Sequence, residues 1–227
     1  MKKIYIIANW KSNKTIYQAD RWFRTFNNSQ LTINKEEKEV IICPSFTLLS
    51  FVKESIVKSQ LSIAVGAQDI SPFDEGAYTG EVNGKQIKEF AEYVIIGHSE
   101  RRNYFREGEE IVNKKISLAY KYRITPIICV SNISQIHDSS SIILNSNCIV
   151  VYEPVFAIGT GNSDTPENAE RIAKQVKANT GVLFVLYGGS VTSKNVKEFT
   201  KMSNIDGILV GGASLDAQEF YTIIQNA

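Results

Sequence analysis

The chain has no excess of charge of either sign: among its 227 residues, 25 Lys and Arg stand against 24 Asp and Glu, a formal net charge of +1. That balance removes the electrostatic reason to expect nucleic acid or an anionic membrane as partner. No apolar run approaches the length of a membrane span, and no signal-peptide pattern is present, because Met1-Lys2-Lys3 leads into a short strand that turns polar at Asn9. Cysteine is scarce and odd in number. Cys43, Cys129 and Cys148 lie in or beside apolar strands without metal-ligand spacing, which excludes a disulfide framework and reads as reduced core cysteines in a cytoplasmic protein. Histidine occurs twice, and only His98 stands at a strand end; His137, within the polar stretch 131–141, reads as a loop residue.

What is present is ordinary apolar content for one domain over residues 1–227, with ample core and no linker to suggest a second. Apolar runs predict strands near 4–9, 39–43, 62–67, 93–97, 125–130, 148–152, 183–187 and 206–210. Between them, helical periodicity runs over 15–27, 46–58, 109–121, 166–178, 193–201 and 216–225. Strands alternating with helices mean a parallel sheet, and closure into a (β/α)8 barrel leaves no sheet edge; the expected fold class is therefore α/β, a single-domain TIM barrel.

The chemistry-bearing residues all follow strands, which places them at the C-terminal face of such a barrel. Glu153 comes directly after the apolar strand 148–152 and before Pro154 and the glycines Gly159 and Gly161, a carboxylate ahead of a loop whose two ends can act as hinges. An ordinary strand-to-helix connection with a solvent-facing glutamate fits those residues as well. Asn9 and Lys11, two apart at the end of the first strand, project from the same side if strand geometry persists; a solvated surface lysine is the plainer reading. His98 runs from a strand into a charged helix start and otherwise reads as a capping residue. Two glycine turns, Tyr187-Gly188-Gly189-Ser190 and Val210-Gly211-Gly212-Ala213-Ser214, are each either a tight turn or, together, a set of backbone N–H groups around one phosphate.

Taken in register, these segments resemble the triosephosphate isomerase family. Asn9-Trp10-Lys11 is similar to its first-strand motif, and His98-Ser99-Glu100-Arg101-Arg102 to its fourth-loop motif. Tyr152-Glu153-Pro154-Val155 with Ala157-Ile158-Gly159-Thr160-Gly161 is similar to its base and lid, and the two glycine turns to its phosphate-binding turns. The resemblance covers residues 4 to about 216 and implies an aldose–ketose isomerase acting on a triose phosphate, with no metal or organic cofactor. It implies Glu153 as base, His98 as a neutral electrophile and proton shuttle, Asn9 as a second donor and Lys11 as fixed positive charge. Gly159, Ser190, Gly211 and Gly212 would hold the phosphate, whose charge must be met locally in so neutral a chain. Ser99, Glu100 (paired with Lys11) and Tyr187 would support the site, and closure of 154–161 would exclude water.

Two departures from the family stand out. Phe156 occupies a position usually held by tryptophan, and Ser131-Asn132 a usual glycine–glutamate pair; because those partners interact in relatives, the joint change reads as matched. The stretch 132–147 is shorter and more polar than the family's fifth helix region, with Ser139-Ser140-Ser141 a poor helix interior, so it is expected to be a weak helix or an irregular loop. The long segment 68–82 resembles the family's third loop, implying a homodimer in which Thr79 supports the partner's site. A barrel enzyme for another phosphorylated metabolite, or a non-catalytic phosphate-binding protein on this scaffold, are the rival readings.

Overall fold

A computed structural model describes residues 2–29, 33–135, 147–157 and 161–227. Eight parallel strands follow one another around a closed barrel: β1 (Ile4–Asn9), β2 (Lys38–Cys43), β3 (Ile63–Ala67), β4 (Tyr93–Ile96), β5 (Thr125–Val130), β6 (Ile149–Tyr152), β7 (Phe184–Tyr187) and β8 (Gly207–Val210). β8 closes on β1 in a register running from Tyr5 opposite Gly207 to Ala8 opposite Val210. Successive side chains point to opposite faces, so the apolar runs divide into two cores. Tyr5, Ile7, Ile41, Ile95, Ile127, Val151, Leu186 and Leu209 fill the barrel interior. Their neighbours Ile6, Ala8, Val40, Ile42, Val150 and Val185 face outward into a larger core shared with the helices.

Parallel neighbours need long crossovers, and among the described residues helices supply most of them. They are α1 (Ile16–Asn28), α2 (Leu49–Lys58), α3 (Gly84–Lys88), α4 (Ser99–Tyr104), α5 (Glu109–Lys121), α6 (Pro166–Thr180), α7 (Val196–Thr200) and α8 (Ala217–Asn226). Local chemistry sets their starts: Thr15 and Gln18 form a capping box on α1, Thr165 caps α6 ahead of Pro166, and Asp216 caps α8.

Several boundaries differ from the periodicity. The first turn of the 46–58 helix is 3₁₀ over Phe46–Leu48, and α7 starts later than 193. There Asn195 accepts from Thr192 N–H at 2.8 Å, so local side-chain bonds satisfy the backbone before the helix begins. α3 is too short for periodicity to register, although its Asn83–Gln86 capping box is visible in the sequence. Residues 68–82 contain no helix or strand. Most of the 132–147 stretch lies outside the described residues. Among the described residues, no helix is long and apolar enough to cross a membrane.

Candidate active site

At the end of β1 the strand does not carry through to Lys11. It stops at Asn9, and Lys11 takes a left-handed backbone with φ 52°, so the expected strand alternation is replaced by a tight turn. Two amides hold that unfavourable conformation in place. Asn9 Oδ1 accepts Lys11 N–H at 3.0 Å, and Gln68, just past β3, donates to Lys11 O at 2.9 Å and to Cys43 O at 2.8 Å. The turn aims the ammonium at Glu100, with Nζ to Oε1 at 2.5 Å. Gly211 gives this side chain its room, because a Cβ there would sit 3.2 Å from Lys11 Cε.

His98 leaves β4 through Gly97 and caps α4. Gly97 has φ +71°, and Arg102 fixes the turn by donating to Gly97 O at 2.8 Å while its guanidinium pairs with Glu109 at 2.6 Å. His98 Nδ1 accepts the Glu100 backbone N–H at 3.2 Å. A ring nitrogen that accepts carries no proton, so where this bond is made the ring hydrogen lies on Nε2. That Nε2 lies 3.2 Å from Glu153 Oε1, and Glu153 Oε2 accepts Ser99 N–H at 3.2 Å. Glu153 is only 1% exposed. Its carboxylate thus rests against a helix N-terminus, where backbone N–H groups and the helix dipole favour negative charge. Gly188 makes the space: a Cβ there would stand 2.9 Å from Glu153 Cγ.

Lys11, His98, Glu153, Gly161, both glycine turns and Ser190 line one cavity of about 260 Å³. Ser190 Oγ donates to Ala157 O at 2.6 Å, tying the turn after β7 to the segment after Glu153. Tyr187 supports the same region, its hydroxyl accepting Asp164 N–H at 2.7 Å. Asn9 is buried at the strand end beneath. Gly159 lies outside the described residues. Thr79 is not in the cavity; it sits on an exposed arm, residues 75–81, braced by Phe73 stacked on Tyr78 at 4.3 Å.

Gln68, Arg102, Asp164 and the packing role of Gly188 escaped the sequence reading. Nothing local marks Gln68 or Asp164, whereas Arg102 lay inside a motif whose roles were given to its neighbours. Within the barrel interior burial raises the thiols of Cys43 and Cys129, the latter also facing Glu153, so both stay protonated. Among the described residues no group of three or more His, Cys, Asp or Glu side chains is arranged to hold a metal ion.

A buried carboxylate beside an imidazole, with a lysine and two glycine turns around one cavity at the C-terminal face of a (β/α)8 barrel, defines an acid–base enzyme class built to take a small anion. Sequence comparison specifies it further. A family model described as triosephosphate isomerase matches residues 4–227. Proteins named triosephosphate isomerase from Mesomycoplasma hyopneumoniae (strain 232) and Dictyoglomus thermophilum are 41% and 38% identical, with all of each chain covered. One from Trichodesmium erythraeum is 39% identical with 99% of each covered. The chain belongs to the triosephosphate isomerase family.

Proposed function

We propose that the chain interconverts dihydroxyacetone phosphate and D-glyceraldehyde 3-phosphate through an enediolate. The observation that carries this reading is the 3.2 Å contact between Glu153 Oε1 and His98 Nε2 within one cavity shared with Lys11. Glu153 takes a proton from one carbon and returns it to the next. His98 donates from Nε2 to the oxygens on which charge develops, and because its ring is neutral it can both give and recover that proton. Lys11, steadied by Glu100, places positive charge beside enediolate and phosphate, with Asn9 as a further donor. The phosphate is held by N–H groups of Gly159, Ser190, Gly211 and Gly212, and segment 154–161 closes over it to exclude water. Ser99 holds the resting carboxylate of Glu153, and Tyr187 steadies the turn that it precedes.

The working unit is proposed to be a cytoplasmic homodimer. Its support is the exposed 75–81 arm with its stacked aromatic base, suited to insertion into a partner, where Thr79 would meet the site. The three buried, unpaired cysteines suit a reducing compartment.

A coupled assay with glyceraldehyde 3-phosphate tests the activity. Glu153→Gln should lower kcat by at least about 10²-fold with little loss of affinity for a phosphate-bearing analogue, since it removes the base and no phosphate donor. Near-normal turnover by that variant would overturn the assignment.

A further inference from the structure

Asp164 lies between Gly161 and the first turn of α6, only 8% exposed and outside the cavity. Three donors converge on its carboxylate. Thr165 N–H reaches Oδ1 at 2.8 Å, while Asn168 Nδ2 at 2.6 Å and the Tyr152 hydroxyl at 3.3 Å reach Oδ2. Its own backbone N–H goes to the Tyr187 hydroxyl at 2.7 Å. The two tyrosines are register partners at the ends of β6 and β7. Tyr152 immediately precedes Glu153 and Tyr187 immediately precedes Gly188, whose N–H donates to Tyr152 O at 2.8 Å.

Only a group that accepts at both oxygens and donates at neither satisfies all three donors; an amide in its place sets N–H against one of them. Burial, together with the Asp164 charge, pushes both phenols up to about 12, so Tyr152 remains a donor at neutral pH.

We infer that the Asp164 carboxylate is a positioning residue for the isomerisation: acting through Tyr152, it fixes the end of β6 that carries Glu153 relative to the turn after β7. This rests on the activity proposed above. A residue that merely stabilised the start of α6 would hold the same bonds to Thr165 and Asn168, but the bond to Tyr152 would then have no kinetic consequence.

The test compares wild type, Asp164→Asn, Tyr152→Phe and the double variant for Tm, kcat and KM with glyceraldehyde 3-phosphate. Wild-type turnover is measured first; its absence defeats the proposed activity and with it the premise. Given turnover, Asp164→Asn should lower kcat about 10-fold, consistent with a sub-ångström misplacement of the base. Tyr152→Phe should lower it several-fold, and the double variant should be no slower than Asp164→Asn, since both changes break one link. A kcat within about 2-fold of wild type in Asp164→Asn, with Tm alone reduced, would overturn the inference, as would losses that multiply in the double variant. Should Asp164→Asn fail to fold, Tyr152→Phe decides: a several-fold fall in kcat at unchanged Tm supports the link, and a wild-type kcat refutes it.

Discussion

Replacing Gly188 with alanine probes how the base is seated. The added Cβ would lie 2.6 Å from Val151 Cγ1 and 2.9 Å from Glu153 Cγ. Carbon atoms rest at about 3.5–4.0 Å, so each neighbour must give by roughly 0.6–1 Å or more. The backbone has little freedom to absorb this, because Gly188 N–H is bonded to Tyr152 O and Glu153 N–H to Val130 O, both at 2.8 Å. Glu153 relieves its overlap by rotating about its Cα–Cβ bond, which moves Cγ and draws the carboxylate away from Ser99 and His98. Overpacking of this kind costs about 1–3 kcal/mol of stability, or a Tm loss on the order of 3–10 °C for a chain of this size. A displacement of about 1 Å at a reacting group costs on the order of 10²-fold in rate. We expect kcat to fall about 30- to 100-fold while KM stays within about 3-fold, because the proposed phosphate donors are backbone groups. Adding Val151→Ala relieves the first overlap but not the second, so kcat should remain low. A single variant within about 3-fold of wild-type kcat would show that Gly188 serves only its turn. Recovery of kcat in the double variant would assign the loss to strand packing instead of to Glu153.

Lys11→Ala should damage KM and kcat together in steady-state assays, because in the proposed mechanism one charge serves phosphate and enediolate; a change confined to KM would restrict it to binding. Glu107 is pushed up by burial, but hydrogen bonds and charge from Arg101 and Lys115 prevail and hold it below its ordinary value of 4.5. A depressed native value means stability that is present above that pH and lost as pH falls through the native pKa. Glu107→Gln should therefore be less stable near neutrality and show a flatter decline of Tm below pH 4.5 than wild type; parallel curves would refute the coupling. Asn132 already accepts from Ser134 Oγ at 2.5 Å and Gln135 N–H at 3.2 Å, while Phe156 is 62% exposed. Phe156→Trp with Asn132→Glu should nonetheless be non-additive in kcat and inhibitor affinity, by roughly 0.5 kcal/mol or more. Strict additivity would make the paired departure from the family a coincidence.

The barrel was legible because its strands are short apolar runs cut off by polar or turn residues, a signal local to each segment. β1 ended where Asn9 interrupts the run, and β5 and β8 likewise lay close to their apolar limits. The positions of the candidate site residues at strand ends were legible for the same reason, and the parallel order alone put them at one face of the barrel. What remained hidden depends on approach through space. Gln68 meets a carbonyl 57 residues away in sequence, and the left-handed turn at Lys11 exists because that amide and Asn9 grip it from two sides. Asp164 is an unremarkable helix-start acid until the β6 and β7 tyrosines are brought beside it. Helix starts failed where side chains such as Asn195 offered the backbone a competing partner.

The mutual contact of His98 and Glu153 has a thermodynamic consequence. In the resting site Ser99 N–H already occupies Glu153 Oε2, while Oε1 stands 3.2 Å from His98 Nε2. A carbonyl substrate that arrives there must part the two side chains before His98 Nε2 can face its oxygen. On the proposed mechanism, ground-state affinity then comes chiefly from the phosphate end. On the proposed mechanism, the reacting end contributes chiefly once charge appears on the enediolate oxygens and gives the Nε2 donor a strong acceptor. The resting pair thus withholds attraction from the substrate while leaving it available to the transition state, which is the distribution of binding energy that raises turnover without trapping the reactant.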